Sequence, residues 1–376
     1  MINPGKFYNV LKENGINFFT GVPDSLLKDF CAYVTDHTPS HQNIIAANEG
    51  NAAALAAGRY LAAGEISLVY MQNSGLGNIV NPLTSLLDPM VYSIPMLFLV
   101  GWRGEPGVKD EPQHVKQGKI TLELLETLGV RYEVLSQSME EAEERIKIAV
   151  QFMTDYKKPY ALVVSKNTFD TYSLQKECKA LFELNREQAI KLIISSIDPE
   201  DVIVSTTGKT SREVFEYREE INDNHEKDFL TVGSMGHSSQ IALGIALAKP
   251  NKNVYCLDGD GALIMHMGSL AIIGEQAPQN LKHVVLNNGA HDSVGGQPTA
   301  GFRLDIPAIA KACGYKTVLQ AETREDIAQK INELKFSGGP SLLEIKVNKG
   351  ARKDLGRPTT TPIENKEAFM KFLSRP

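Results

Sequence analysis

The types and spacing of a few polar residues in the second half of this chain could hold a phosphate through a hard cation. The apolar run 254–257 ends in Asp258-Gly259-Asp260-Gly261-Ala262, and, with 25 residues between Gly261 and Asn287, the next apolar run ends in Asn287-Asn288-Gly289. Glycines let the backbone N–H groups of such a turn approach a phosphate, and a carboxylate in the turn can bind Mg²⁺ instead of repelling the anion. Asp260 is the natural cation ligand. Side-chain and backbone carbonyls near Asn288 could complete an oxygen shell, as hard cations require. A lone Gly-Asp-Gly is an ordinary turn; followed at this distance by a strand ending in Asn-Asn it is specific. The segment Ala290-His291-Asp292-Ser293-Val294-Gly295-Gly296-Gln297 follows the second turn, so Asp292 and Gln297, with His291, are candidates to line the same cavity. In Thr206-Thr207-Gly208-Lys209-Thr210-Ser211-Arg212, the glycine and the cations Lys209 and Arg212 could receive a phosphonate or diphosphate near a helix start, although an exposed helix face explains both cations equally well.

Such turns must sit at strand ends. Short continuous apolar runs at 67–72, 96–101, 160–165, 202–206, 254–258, 283–288 and 342–347 alternate with longer amphipathic segments. Runs of that kind suit strands covered on both faces, and helices between them imply parallel sheets, an α/β fold. The stretch 49–101 also aligns without a gap onto 235–287, a constant shift of 186 residues that superposes Gly50, Gly58 and Gly75 on Gly236, Gly244 and Gly261. Upstream, Thr20-Gly21 aligns with Thr207-Gly208 at a shift of 187. The chain therefore reads as two similar open parallel-sheet modules, 1–170 and 186–376, joined by a linker at 171–185, with no central third domain.

Composition bounds the rest. With 376 residues, 42% hydrophobic and 22% charged, the chain can bury two sizeable cores. A formal charge of -6 and the lack of any polybasic run argue against nucleic acid as a partner. Cys31, Cys178, Cys256 and Cys313 are too far apart for a short zinc or redox motif and read as reduced, structural thiols. The start, Met1-Ile2-Asn3-Pro4, has no basic segment leading into an apolar one, and the apolar run 95–102 is far below the roughly 20 residues of a membrane span, so no membrane association and a cytoplasmic location are expected.

Gly259-Asp260-Gly261 with Asn287-Asn288 resembles the diphosphate-binding motif of thiamine-diphosphate enzymes. The resemblance implies thiamine diphosphate and Mg²⁺ as cofactors, with Asp260, Asn288 and the main-chain carbonyl of Ala290 on the metal and Ala262 adding contacts to the cofactor. It makes the first module the pyrimidine-binding one. There, in Ala47-Asn48-Glu49-Gly50-Asn51-Ala52, Glu49 occupies the position of the glutamate that hydrogen-bonds the aminopyrimidine ring and promotes activation of the thiazolium carbon. Read by itself, Glu49 is a helix N-terminal acid complementing the dipole. In Val232-Gly233-Ser234-Met235-Gly236, Met235 matches the bulky apolar residue that bends the cofactor, and Gly233 the carbonyl that binds its amino group. Met235 alone would pass as a core methionine. Family members set the glutamate module of one subunit against the diphosphate module of another, so the resemblance also implies a homodimer core.

Three segments narrow the family. Gly21-Val22-Pro23-Asp24-Ser25, Gly101-Trp102-Arg103-Gly104-Glu105-Pro106-Gly107 and Asp110-Glu111-Pro112-Gln113-His114 resemble the decarboxylases of phosphonopyruvate and sulfopyruvate. With the cofactor motifs this resemblance covers nearly the whole chain and implies loss of CO₂ from a small anionic 2-oxo acid. Asp24 and His114 are candidates for proton handling, since a carboxylate and an imidazole on loops can steer protonation; Asp24 could instead cap a helix beginning near Ser25. Ser25 is a further substrate candidate. Phosphonate and sulfonate share a tetrahedral shape, and the single-chain layout leans toward phosphonopyruvate because sulfopyruvate enzymes are often split into subunits. Carboligation, as in acetolactate-forming relatives, is the alternative chemistry; those relatives usually carry a central domain. A nucleotide-binding module without catalysis would have no use for the distant Glu49.

Overall fold

A computed structural model describes residues 1–176 and 181–375. The chain forms two compact units, Met1–Glu177 with Val294–Gln297, and Cys178–Ser293 with Pro298–Pro376. The first holds strands β1 (Phe19–Gly21), β2 (Asn43–Ile45), β3 (Leu68–Gln72), β4 (Leu97–Gly101), β5 (Arg131–Val134) and β6 (Tyr160–Val164) in the order β2-β1-β3-β4-β6-β5. The second holds β7 (Val202–Ser205), β8 (Asp228–Leu230), β9 (Val254–Gly259), β10 (Leu281–Asn287), β11 (Thr317–Ala321) and β12 (Ser341–Lys346) in the order β11-β12-β10-β9-β7-β8. Every pairing is parallel. Numbered within its own unit, each sheet has the same order, so the two units share one α/β topology, as the repeat implies.

Both faces of each sheet are covered, which is why the inner strands read as unbroken apolar runs. Along β4 the side chains alternate between two cores: Leu97 and Leu99 pack with Phe7, Phe30 and Ile146, while Phe98 and Val100 pack with Ala53, Met71 and Leu125. In the second unit Tyr255 and Leu257 face one core and Val254 and Cys256 the other. The outer strands differ. β5 is partly to fully exposed and β11 mostly half-buried, so neither shows as an apolar run in the sequence.

Register corrects the repeat in detail. The shift of 186 residues holds from β3 to β9, since Leu68 and Val254 occupy equivalent places. Leu68 pairs with Leu97 but Val254 with Leu281, which makes the shift 184 for β4 and β10. Gly21 pairs with Tyr70 and Val204 with Cys256, a shift of 183 for β1 and β7. Thr20-Gly21 is thus the counterpart of Ile203-Val204, not of Thr207-Gly208. Equivalence is set by ladder hydrogen bonds, and the connections between strands absorb the differences in length.

The described part of the segment between the modules is tied down at both ends. Tyr172 donates its hydroxyl to Asp36, which also accepts the Gln175 and Lys176 N–H groups. Phe182 exchanges hydrogen bonds with the Asn348 side chain. Cys31 and Cys256 are free and buried and Cys313 is free and half-buried; Cys178 lies outside the described residues, as do positions 177–180 of the linker. Among the described residues no helix is long and apolar enough to cross a membrane.

Candidate functional site

In the second unit four neighbouring strands deliver the motif residues. Thr206–Lys209 follow β7, Gly233 and Met235 follow β8, Asp260 follows β9, and Asn288 follows β10. The turns are stitched together by short-range polar bonds. The Thr207 hydroxyl accepts the Gly233 N–H at 2.8 Å, and the Ser211 hydroxyl donates to the carbonyls of Thr206 and Thr231. Gly208, in the left-handed region at φ 95°, caps the helix Lys209–Glu220.

Asp260 is 2% exposed. It accepts a very short hydrogen bond from the Thr299 hydroxyl and a longer one, 3.4 Å, from the Asn288 N–H. Burial pushes its carboxyl up to about 6, because the bonds to Thr299, Asn288 and its own turn offset only part of the desolvation, and among the described residues it is in no ion pair. Asn287 locks the second turn: its amide donates to the Gly301 carbonyl at 3.0 Å and to Glu344 at 2.7 Å, and its carbonyl accepts the Gly289 N–H. The Asn288 side chain accepts the Ala290 N–H at 3.1 Å, which closes a turn between the two residues. A buried carboxylate lacking a counter-charge, beside amide and main-chain oxygens, is the donor set that a hard divalent cation takes. These residues fit a hard divalent cation such as Mg²⁺.

Three other candidates are occupied. Arg186, absent from the sequence reading, grips Glu213 with two bonds of 2.7 Å and reaches Asp292 at 3.0 Å. Lys209 donates to the Asp292 carbonyl at 2.9 Å. Burial opposes ionisation of Asp292, but Arg186 and Lys209 outweigh it and hold its carboxyl below the usual range. Arg212 spends its guanidinium on the carbonyls of Leu355 and Gly356. His291 packs its ring against Gly261, and burial lowers it to about 4. Gln297 is counted with the first unit, where its amide reaches the Lys28 carbonyl at 3.4 Å.

The first unit repeats the plan with different chemistry. Glu49 opens the helix Glu49–Ala63, whose Ala52, Ala53, Ala56 and Ala57 let it press close to the sheet; Asn48 caps it through the Asn51 N–H. The Glu49 carboxylate is 5% exposed and accepts the Asn78 amide at 2.6 Å. Gly75 lies so near that a methyl group there would fall 2.5 Å from Glu49 Oε1. Neither Gly75 nor Asn78 was singled out for this contact, because they follow β3 whereas Glu49 follows β2.

Asp24 follows β1 and is fully buried. One carboxylate oxygen accepts the Leu26 N–H at 2.9 Å; the other has no partner. Its pKa is raised by burial, against the pull of Leu26 N–H and the Arg103 guanidinium. The following helix begins at Lys28, with no side-chain cap, so Asp24 closes a turn and is not an N-cap. Gly101, at the end of β4, is pressed against Asp24, and a methyl group there would overlap its carboxylate. Arg103 donates to Ser25 at 2.8 Å and to Asp110 with two bonds. His114 lies in the same cluster; burial, helped by Arg103 and opposed by Asp110, lowers its imidazole to about 4. The structure therefore gathers Asp24, Ser25 and His114 and adds Arg103 and Asp110.

Residues 6–125 match the N-terminal TPP binding domain of thiamine pyrophosphate enzymes and residues 206–345 match the C-terminal TPP binding domain. The chain is 34% identical, over 96% of its length and 92% of the relative's, to a phosphonopyruvate decarboxylase of Streptomyces viridochromogenes. It belongs to the thiamine pyrophosphate enzyme family. A phosphonopyruvate decarboxylase of Streptomyces hygroscopicus is 33% identical over the whole chain and 95% of that relative. A sulfopyruvate decarboxylase of Methanosarcina acetivorans is 27% identical over 99% of the chain and 97% of that relative. This last relative carries both modules in one chain, so a single-chain layout does not separate the two substrates.

Two outcomes follow from the geometry of the first unit. Gly75→Ala should leave folding nearly intact, because only the Glu49 side chain must move, and should lower turnover at least about tenfold by displacing that carboxylate; thermal melting and steady-state rates on one preparation check it, and unchanged turnover would remove Glu49 from the reacting site. His114 should titrate near pH 4 by imidazole NMR. Its folded pKa lies below the ordinary 6.5, so the unfolded chain binds more protons between those values and the stability it contributes is present above about pH 6.5 and lost as pH falls toward 4. A midpoint near 6.5 would contradict the buried placement.

Proposed function

We propose that the chain decarboxylates 3-phosphonopyruvate to CO₂ and phosphonoacetaldehyde, using thiamine diphosphate held through Mg²⁺, in phosphonate biosynthesis in the cytoplasm. The observation that carries the reading is one chain with a buried Asp260, in no ion pair among the described residues, beside Asn288 in its second unit and a buried Glu49 in its first. The substrate rests on the higher identity to relatives named for phosphonopyruvate, 33–34% against 27% for the one named for sulfopyruvate. Sulfopyruvate is the second reading, since it presents the same tetrahedral oxyanion. Carboligation has the weaker support, because the described residues form two units with no third between them.

The bound cofactor would supply stabilisation of the carbanion left when CO₂ departs. Asp260, Asn288 and the Ala290 carbonyl would hold the cation, and Gly208, Gly259, Gly261 and Ala262 would let the diphosphate approach the backbone. The Gly233 carbonyl and Met235 would set the conformation of the ring system, and Glu49 would hold the proton shared with the pyrimidine nitrogen. Loss of CO₂ leaves one carbon to be protonated, and Asp24 and His114 stand on the loops that could deliver that proton. A homodimer would complete the site, Glu49 coming from one copy and Asp260 from the other.

Release of CO₂ and aldehyde from phosphonopyruvate, sulfopyruvate and pyruvate, with cofactor and Mg²⁺ present or omitted, tests the reading; cofactor-dependent turnover fastest on phosphonopyruvate is expected, and none on any of the three would overturn it. Glu49→Gln should still bind cofactor and lose about 10²–10⁴-fold in turnover, whereas Asp260→Ala should fail to hold the cofactor at any practical Mg²⁺ concentration. Mixing these two inactive variants under subunit exchange should restore one working site per mixed dimer. No restoration despite exchange would rule out a shared site.

A further inference from the structure

Arg103 leaves β4 on a backbone held from two sides. Asn73 donates its amide to the Arg103 carbonyl at 2.7 Å, and the Asp110 carboxylate accepts the Gly104 N–H at 2.8 Å. The same carboxylate takes the Nε edge of the guanidinium, and the Ser25 hydroxyl takes one terminal nitrogen. Guanidinium has five N–H donors. Among the described residues three are used, two by a single carboxylate and one by a hydroxyl, which leaves one N–H on each terminal nitrogen of an oriented fork.

A salt bridge serving stability alone would need only Asp110. This guanidinium is instead set beside Asp24, which is fully buried and has an oxygen without a partner, and beside the buried His114. Both are groups the sequence marks for chemistry. The competing cations are committed elsewhere: Lys209 is bonded to Asp292, and Arg212 to the Leu355 and Gly356 carbonyls. A substrate with a second, tetrahedral oxyanion needs a cation that a plain 2-oxo acid does not, and a fork fits two of its oxygens better than a point charge.

We propose that Arg103, oriented by Asp110 and Ser25, receives the phosphonate or sulfonate oxyanion of the substrate and so determines specificity. The inference rests on the decarboxylase reading above. Arg103→Lys, which keeps the charge and loses the fork, should raise KM for phosphonopyruvate at least about tenfold and change kcat by less. The inhibition constant of methylphosphonate should rise in parallel, while the dissociation constant of thiamine diphosphate stays within about twofold of wild type. Asp110→Asn, which keeps the guanidinium and weakens its anchor, should shift KM in the same direction, and it carries the test if the first variant melts below assay temperature. Unchanged KM and unchanged methylphosphonate inhibition in the folded variants would overturn the assignment of Arg103. A wild-type protein inactive on both phosphonopyruvate and sulfopyruvate would overturn the underlying reading instead.

Discussion

The constraint from which the rest follows is the shared direction of the strands. In a sheet built only from parallel strands, every connection crosses back over a face, and all carboxyl ends emerge along one edge. Order within the sheet then decides which loops become neighbours. In the first unit the ends of β1, β2, β3 and β4 present Asp24, Glu49, Gly75 with Asn78, and Arg103. In the second the equivalent ends of β7, β8, β9 and β10 present Gly208, Met235, Asp260 and Asn288. Each unit uses the same corner of the same topology, around the point where strand order reverses and open sheets bind ligands. The two corners have diverged in chemistry, one built of acids and a guanidinium, the other of metal-type oxygen donors and glycines.

Buried charge separates the parts that stabilise from the parts that act. Arg218 is 3% exposed and meets two carboxylates, with two bonds to the buried Asp228 and one to Asp223. Arg186 likewise meets two carboxylates, Glu213 and Asp292. Such groups are compensated within the fold. Asp24 and Asp260 are as deeply buried and are not: among the described residues Asp24 keeps an oxygen without a hydrogen bond, and Asp260 is in no ion pair. Leaving a buried polar group incomplete costs stability, so an incomplete carboxylate at a strand end marks a place where a ligand finishes the bonding. The Arg186 network nevertheless contributes, because Asp292 lies four residues beyond Asn288 and anchors the loop that carries the metal-type donors.

Legibility in the sequence followed burial and contact distance. Seven strands were readable because both faces are covered and their runs are apolar throughout: β3, β4, β6, β7, β9, β10 and β12. β1, β2 and β8 have three residues each, and β5 and β11 lie at the outer side of their sheets, half in solvent, so none gave a run. Asp260 and Asn288 were readable because strand-turn spacing is local, and the resemblance to thiamine-diphosphate enzymes, drawn from Gly259-Asp260-Gly261 with Asn287-Asn288, agrees with the matches to both TPP binding domains. Partners far along the chain were not. Lys209 meets Asp292 across 83 residues and Arg212 meets Gly356 across 144, so both looked like free cations. Arg103 stood inside a segment noted for its resemblance, yet its link to Ser25, 78 residues away, exists only in the fold.

The environments of Asp24 and His114 assign different capacities to two residues that the sequence treats alike. Decarboxylation puts a proton on carbon where a carboxylate was, so a group near that carbon must hold a proton at neutral pH and release it. His114, lowered to about 4 by burial and by Arg103, is neutral there and has no extra proton to give. Asp24 is shifted the other way, because full burial and an unpartnered oxygen favour its protonated form and the Arg103 guanidinium only partly offsets them. An anionic substrate bound beside Arg103 would neutralise that guanidinium and weaken the one charge that favours ionised Asp24. Substrate binding and proton retention would then reinforce each other, with His114 serving as a neutral hydrogen-bonding neighbour. Burial is the common cause of the raised Asp24 carboxyl and the lowered His114 imidazole, and the Arg103 guanidinium opposes the first and adds to the second, so of the two side chains Asp24 is the one shifted toward keeping its proton.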